Sequence, residues 1–570
     1  MRAGLIGLAG LLLLGCTTAA PAPVHDVVIR GGTIYDGSGG KPFVGDVAID
    51  GGDAVGKVAG TGRTEIDAHD KAVSPGFINM LSWATDDLLY DGRGLSDLKQ
   101  GVTLEVMGEG SSMGPYNDAM KKLETEREGD IKYDIDWTTL DQYLSRLERQ
   151  GISPNVASFI GAETARTYVL GEGDVDPDPA QLLAMQDLVH QAMEDGALGV
   201  GSSLIYAPGT YAETDELAAL ATEAGKCGGI YISHMRYESD RLLDGIDELI
   251  EISRRSGAPA EIYHFKQAGK GNWAKIDAAI ARVEAARAKG QRITADMYTY
   301  TAGSTGLDAA MPPWVQAGGR EAWIARLKDP AIRARVIAEM RDPKAGYENL
   351  YRHAGAEGTL LVGFKNPALK PLTGKTLAEV ARMRGVSPED AAIDLVIEDG
   401  TRVQVVYFLM SEDNVRREVA IPWMSFGSDA GAQAPEGPFL LSSTHPRAYG
   451  NVARLLGHYV RDEKVITLAE AVRKLSGQPA YNLGLHDRGL LKVGYFADIA
   501  VFDPATVGAP ATYDNPKQFA TGMIDVLVNG VMALKDGEAT RAPSGRVVRG
   551  RAWRGWPDGG CRRNAGDWSW

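Results

Sequence analysis

The sequence predicts an α/β protein built on a (β/α)8, TIM-like barrel with a small flanking β-sandwich. Between about residues 73 and 483, short apolar runs alternate with helical periods, as at 180–196, 242–256 and 276–289. Such alternation indicates βα units around a parallel sheet. Polar residues of metal-binding types recur where the apolar runs end. This favours a closed barrel, because the carboxyl ends of barrel strands carry the active site.

The flanking sandwich is predicted from both ends of the chain. Residues 26–37 have the pattern of two short strands around a Gly-Gly turn, and residues 494–503 and 524–530 have the same strand-turn character. We therefore expect 26–72 and 484–548 to form one β-sandwich beside the barrel at 73–483. Residues 303–357 lack strong strand patterns and predict a helical insertion, a candidate lid. The tail at 549–570 is expected to be disordered, although its tryptophans could pack back onto the body.

The first 25 residues predict export and not a folded element. An apolar stretch follows Met1-Arg2 and ends at Leu14, before Gly15 and Cys16. This pattern is typical of a lipoprotein signal peptide (1–15) that is cleaved before Cys16, followed by a linker (16–25). An ordinary secretory signal or a short anchor is the alternative. We expect an exported bacterial protein, periplasmic and lipid-anchored through Cys16, since the run is short for a transmembrane helix.

Composition excludes some partners and leaves others open. The 570 residues carry a net charge of −15, which argues against nucleic acid or an anionic membrane surface as the main partner. A small-molecule substrate is expected, and the sequence does not determine the oligomeric state. The three cysteines are Cys16, Cys227 and Cys561. With Cys16 acylated, a disulfide framework is not expected, and Cys227 is interpreted as buried packing.

Three candidate functional residues stand at the ends of apolar runs. His234 ends the run from residue 229, His264 ends the run from 260, and Asp429 ends the run from 423. Two imidazoles and a carboxylate at strand ends are the residue types of a hydrolytic zinc site. A single histidine at a strand end is more often only a hydrogen-bonding residue, so the combination carries the prediction.

The order of several motifs resembles that of the N-acyl-D-amino-acid deacylases (D-aminoacylases) of the amidohydrolase superfamily. The resemblance spans nearly the whole chain after the signal segment. Its carriers are Pro75-Gly76-Phe77-Ile78, Gln100-Gly101-Val102-Thr103, Gly196-Ala197-Leu198-Gly199, Ser233-His234-Met235-Arg236, His264-Phe265-Lys266, Asp296-Met297-Tyr298, Gly427-Ser428-Asp429 and His445-Pro446-Arg447. It implies a zinc hydrolase that cleaves the linear amide of N-acyl-D-amino acids.

The resemblance also implies a ligand set, from which this chain departs twice. In the family, the principal zinc is held by two histidines and a cysteine. The histidines match His234 and His264, and the place of the cysteine falls within 108–111. Glu109 is adjacent to that place and can supply an oxygen ligand instead; Glu105 is a weaker rival. The His-x-His pair of a second metal falls on Leu81 and Trp83. One zinc per chain is therefore expected.

The same resemblance assigns the remaining site residues. Asp429 matches the carboxylate that takes a proton from water and delivers it to the leaving amine. Lys266, Tyr298 and Arg447 match positions that hold the substrate's α-carboxylate. Arg236, Tyr237 and Glu238 follow a ligand histidine and could line the pocket. Ala162 stands where relatives often have a histidine and cannot replace it.

Two other functions stay open at this point. One is a different hydrolase on the same fold, such as a dipeptidase or a cyclic-amide hydrolase; a carboxylate-binding trio disfavours cyclic amides without a carboxylate. The other is a catalytically inactive binding homologue. The missing histidine pair and cysteine favour that interpretation, whereas the joint presence of His234, His264 and Asp429 opposes it.

Overall fold

A computed structural model describes residues 23–55, 58–564 and 566. The predicted signal peptide and the predicted lipidation site, Cys16, lie outside the described residues. Within those residues, no helix combines the length and apolar character needed to cross a membrane.

The strands of the described chain run in this order: β1 (Val24–Ile34), β2 (Phe43–Asp50), β3 (Asp53–Val55), β4 (Thr61–Asp67), β5 (Ala72–Pro75), β6 (Phe77–Asn79), β7 (Val102–Met107), β8 (Asn155–Ser158), β9 (Ile160–Gly161), β10 (Gly199–Ser203), β11 (Ile230–His234), β12 (Ala260–Ile262), β13 (Ile293–Met297), β14 (Ala302–Gly306), β15 (Thr359–Gly363), β16 (Gln404–Phe408), β17 (Met424–Phe426), β18 (Ile499–Phe502), β19 (Met523–Val528), β20 (Val531–Lys535) and β21 (Glu538–Ala539).

The α-helices are α1 (Asp87–Tyr90), α2 (Leu95–Leu98), α3 (Asp118–Arg127), α4 (Leu140–Gln150), α5 (Ala162–Leu170), α6 (Pro179–Glu194), α7 (Thr214–Lys226), α8 (Leu242–Ser256), α9 (Ile276–Ala288), α10 (Pro313–Gln316), α11 (Gly319–Leu327), α12 (Pro330–Arg341), α13 (Leu350–Ala354), α14 (Leu377–Arg384), α15 (Pro388–Asp399), α16 (Glu412–Val419), α17 (Arg447–Arg454), α18 (Leu468–Leu475) and α19 (Gly477–Asn482).

The predicted barrel is confirmed. Strands β6, β7 and β8 pair in parallel, β9 continues β8 across one residue, and β9 through β13 and then β17 pair in parallel as well. The ring closes between β17 and β6, where the Asp429 amide donates to the Leu81 carbonyl at 2.9 Å and the Met80 amide to the Phe426 carbonyl at 3.2 Å. Buried side chains fill the interior, among them Ile78, Leu104 and Ile232. The barrel is therefore a packed core whose strand ends are free for function.

The predicted flanking β-domain is also built from both chain ends. Strands β1 to β5 and β18 to β21 form one nine-stranded sheet, joined where β18 pairs antiparallel with β5. Its apolar side chains share one buried cluster, to which Val27 and Ile49 come from the N-terminal part and Ile499 and Leu527 from the C-terminal part. The two segments thus stabilise each other although the barrel separates them in sequence.

The insertion differs from its prediction in length and in content. It runs from β14 to β16, well beyond the predicted end at 357, and contains a three-stranded antiparallel sheet in the order β14-β16-β15 as well as helices α10 to α15. It has its own buried cluster, which includes Leu307, Val336 and Val405. Sequence patterns missed this sheet because the central strand, β16, lies about a hundred residues after its partner β14.

The tail also differs from its prediction. Instead of being disordered, residues 549–564 pack on the barrel's outer helices: Arg549 donates to the Asp195 carbonyl at 2.7 Å, and Cys561 forms a disulfide with the fully buried Cys227. The expectation of no structural disulfide is thus wrong. Two cysteines 334 residues apart carry no local signal of their pairing; only the return of the chain to α7 brings them together.

We predict that Cys561→Ser lowers the melting temperature and exposes the tail to proteases. A disulfide restricts the unfolded chain and typically contributes about 2–4 kcal/mol. Thermal unfolding of wild type and variant, each with and without reductant, measures the effect. Reductant should lower the wild-type melting temperature and leave that of Cys561→Ser unchanged; equal melting in all four samples would contradict the prediction.

Candidate metal centre and active site

Three predicted ligands converge at the carboxyl ends of the barrel strands. Glu109 Oε1 lies 3.1 Å from His234 Nδ1 and 2.9 Å from His264 Nε2, and the two imidazole rings stand edge to face, 4.4 Å apart. All three side chains are buried. One oxygen and two nitrogens are thus directed at a common point.

The barrel fixes these groups through its strand ends and turns. His234 is the last residue of β11, Glu109 follows β7, and His264 follows β12. His264 has φ 36° and Asp429 has φ 49°, in the left-handed region that non-glycine residues seldom adopt. The His264 turn is held by its amide, which donates to Asp296 Oδ1 at 2.8 Å. Such strained turns persist only where surrounding contacts over-determine them, as they commonly do at functional sites.

Glu238 lies behind the two imidazoles, on the side away from Glu109. Glu238 Oε1 lies 3.0 Å from His264 Nδ1 and accepts from Lys266 Nζ at 2.7 Å, while Glu238 Oε2 lies 3.5 Å from His234 Nε2. The carboxylate therefore faces the ring nitrogens that point away from Glu109. Carboxylates in this position fix the tautomer and orientation of metal-binding histidines.

Asp429 lies on the other side of Glu109 and is held by two donors. Trp83 Nε1 donates to Glu109 Oε2 at 2.9 Å and contacts Asp429 Oδ1 at 3.2 Å. Arg447 Nη2 lies 2.8 Å from Asp429 Oδ2. Asp429 is thereby fixed close to the Glu109–His234–His264 cluster, where a carboxylate can exchange protons with a reacting molecule.

Burial and neighbouring charges act differently on the two carboxylates of the site. Glu109 is kept ionised, whereas the pKa of Asp429 is raised. Burial by itself raises the pKa of Glu109, but hydrogen bonds with His234 and His264 outweigh it and hold that pKa well below its usual range. Burial and the Lys266 ammonium oppose protonation of His264, yet Glu238 and Glu109 raise its pKa to about 10. For Asp429, burial raises the pKa, and Arg447 offsets only part of the shift. A raised carboxyl pKa suits a proton-transfer role near neutral pH.

The predicted carboxylate-binding trio gathers beside this cluster. Arg447 stacks over the Tyr298 ring with its guanidinium carbon 4.4 Å from the centroid, and Lys266 Nζ lies 5.7 Å from the same centroid. All three are buried. In the described part of the chain, Nε and Nη1 of Arg447 have no hydrogen-bond acceptor. Lys266 is paired with Glu238 and Arg447 with Asp429, but Arg447 keeps two further N–H groups that an anion can accept from.

Most of the other candidates predicted from the sequence lie outside the metal cluster. Glu105 lies on β7 and accepts from Asn79 Nδ2 at 3.0 Å, outside the three-residue cluster. Of the predicted pocket residues 236–238, only Glu238 joins the site. Arg236 is bound to Glu248 at 3.0 Å, and Tyr237 stacks against Arg241. Ala162 begins α5 and is buried.

Sequence reasoning missed two contributors. The sequence marks Trp83 only as a residue unable to bind zinc, although an indole N–H is a donor that a loop can aim into a site. Glu163, after β9, accepts from the Ser203 amide at 2.7 Å, and burial raises its pKa to about 7 despite that bond. A lone Glu at a helix start carries no sequence signal of burial.

The donor set fits a zinc ion. Zn²⁺ takes imidazole nitrogen at about 2.0–2.1 Å and carboxylate oxygen at about 2.0–2.2 Å, and catalytic sites commonly use three protein ligands. His234 Nδ1, His264 Nε2 and Glu109 Oε1 are close enough to share one such ion. The second metal-type cluster among the described residues, His190 with Cys227 and Cys561, has both sulfurs in the disulfide.

A parallel barrel with two histidines and a carboxylate converging on one point, and a second carboxylate nearby, defines a metal-dependent hydrolase. The chain matches the Amidohydrolase family over residues 64–534. It is 32% identical to an N-acyl-D-glutamate deacylase of Alcaligenes xylosoxydans xylosoxydans over 92% of this chain and 96% of that protein. This chain therefore belongs to the amidohydrolase family, within the group of N-acyl-D-amino-acid deacylases.

Solved structures agree with that placement. A D-aminoacylase described as having a binuclear centre, activated by one metal and attenuated by a second, superposes with a TM-score of 0.76 at 29% identity, over 92% of this chain and 99% of that one. An N-acyl-D-glutamate deacylase of Bordetella bronchiseptica, solved with zinc and a phosphonate mimic of the tetrahedral intermediate, gives 0.75 at 28% identity, over 92% and 100%. A metal cofactor is thus supported for this fold and site.

We predict that Glu109→Gln weakens zinc binding strongly, whereas Glu105→Gln leaves it unchanged. The two substitutions are isosteric, but only Glu109 points an oxygen at both histidines, whereas Glu105 accepts from Asn79 and lies outside the cluster. Zinc content after dialysis against a graded chelator series measures both. Equal retention of zinc by the two variants would remove Glu109 from the ligand set.

Proposed function

We propose that this protein is a zinc-dependent amidohydrolase that cleaves the linear amide of N-acyl-D-amino acids to a carboxylate and a free amino acid. The observation that carries the proposal is the convergence of Glu109, His234 and His264 on one point, with Asp429 beside them. The relationship to N-acyl-D-glutamate deacylase supports the substrate class.

Each residue has a defined task in this proposal. Glu109, His234 and His264 would hold one zinc ion per chain, which supplies polarisation of the scissile carbonyl and activation of water. Asp429 takes a proton from the attacking water and returns it to the leaving amine nitrogen. Its raised pKa and its two fixed donors, Trp83 and Arg447, suit that exchange.

The substrate's α-carboxylate would be held by Arg447, with Tyr298 and Lys266 beside it. The unpartnered Nε and Nη1 of Arg447 support this role, because a buried guanidinium with free donors is a strong anion site. Lys266 and Arg447 each have a carboxylate partner, Glu238 and Asp429, so the free N–H groups of Arg447 distinguish it as the main anion contact. Linear amides that carry a free α-carboxylate are therefore preferred over cyclic amides that lack one.

The cellular location is a separate proposal. We infer export to the periplasm and lipid anchoring at Cys16 from the apolar segment that precedes Gly15-Cys16. Metabolic labelling with a palmitate analogue tests it: wild type should incorporate label and Cys16→Ser should not.

We predict that Asp429→Asn keeps its zinc and loses most of its turnover. The amide retains an oxygen for Trp83 but cannot take up the proton, and general acid–base groups typically contribute about 10²–10⁴-fold. Steady-state kcat on an N-acyl-D-amino acid, with zinc content measured on the same preparation, gives the result. Near-wild-type turnover at full zinc occupancy would exclude the assigned role.

We predict that Arg447→Ala harms hydrolysis of an N-acyl-D-amino acid more than hydrolysis of its carboxamide analogue. Removing a charge-assisted hydrogen bond costs about 1.5–3 kcal/mol, or roughly ten- to a hundredfold in kcat/KM. The variant should also lower kcat/KM for both substrates, because Arg447 holds Asp429. A two-by-two comparison of kcat/KM isolates the extra loss; equal losses would make Arg447 purely structural.

A further inference from the structure

We propose that Trp83 is a positioning residue that takes the place of a second metal ion and restricts the centre to one. The inference rests on the metal centre of the proposed function and concerns the space between its ligand carboxylate and Asp429. The indole Nε1 lies 2.9 Å from Glu109 Oε2 and 3.2 Å from Asp429 Oδ1.

The two carboxylates need a partner between them. Two carboxylates that face each other in a buried site repel unless a cation or a shared donor lies between them. Here the shared group is a neutral N–H. It leaves Oε1 of Glu109 directed at His234 and His264 while the indole N–H holds Oε2, so a second ion bridged by Glu109 would have to compete with the indole for that oxygen.

The indole also occupies the space that a second ion would need. In two-metal hydrolytic sites the ions lie about 3.5–4 Å apart and share ligands. The indole nitrogen contacts both acidic groups that such a second ion would use, at 2.9 and 3.2 Å. Leu81, two residues earlier, is buried, and its Cβ lies against the backbone of Gly427. Neither side chain offers a metal-binding atom.

Trp83 is held at its backbone as well as at its indole nitrogen. Its amide donates to the Ala430 carbonyl at 3.0 Å, which ties the loop after β6 to the loop that carries Asp429. The side chain remains 37% exposed, so the ring reaches the site from its open edge. Because Trp83 is fixed at its backbone and at its indole nitrogen, it holds Asp429 in place without itself binding a metal.

The test is a metal titration with matched variants. Chelator-stripped wild type, Trp83→His, Trp83→Phe and the control Trp556→His, at a tryptophan of similar exposure in the tail, are dialysed against graded free zinc and analysed for metal. We expect saturation at one zinc per chain in wild type, Trp83→Phe and Trp556→His. Trp83→His should saturate at two, because an imidazole replaces the indole beside two carboxylates.

A second readout follows the indole directly and needs no turnover. Cobalt(II), which is paramagnetic, should quench part of the wild-type tryptophan emission as the first equivalent binds, and Trp83→Phe should lose that part while Trp556→His keeps it. Two zinc ions in wild type, or only one in Trp83→His, would overturn the inference, and so would unchanged quenching in Trp83→Phe. Absence of any bound metal in wild type would overturn the proposed centre as well, and loss of deacylase activity with these stoichiometries intact would overturn the substrate assignment alone.

Discussion

The site depends on one buried carboxylate. Glu109 lies among His234, His264 and Trp83 at the carboxyl end of the barrel, and a buried charge is tolerated only when such partners satisfy it. Removing one partner would leave the charge uncompensated, which costs more than the pair contributes. The orientation of the two imidazoles toward one point and the capacity for a metal both depend on keeping this group ionised.

The two departures from the family's ligand pattern are complementary. A thiolate presents one sulfur to a metal, whereas a carboxylate presents two oxygens, and the second must find a donor when buried. Trp83 is that donor, and it stands where the resemblance places a metal-binding histidine. The loss of a cysteine and the loss of a histidine pair separately argue for an inactive protein, but together they support the proposed one-metal site.

The fold brings these partners together from distant parts of the chain. Closure between β6 and β17 places Trp83 beside Asp429, although 346 residues separate them. The insertion adds the Ser304 carbonyl, which accepts from Arg447 at 3.3 Å, and Thr305, which donates to Tyr206 at 2.7 Å next to His234. The insertion thus contributes to the wall of the site.

The sequence by itself determined the barrel, the flanking β-domain and the candidates His234, His264 and Asp429, because apolar periodicity and residue types at strand ends are local signals; Glu109 was named only through the family resemblance. It did not determine the sheet within the insertion, the Cys227–Cys561 disulfide or the ordered tail, since each depends on pairing across long separations. Whether Glu109 or Glu105 joins the histidines, and what Trp83 contacts, was decided only by tertiary structure: strand register and barrel closure fix which side chains share the interior at the strand ends.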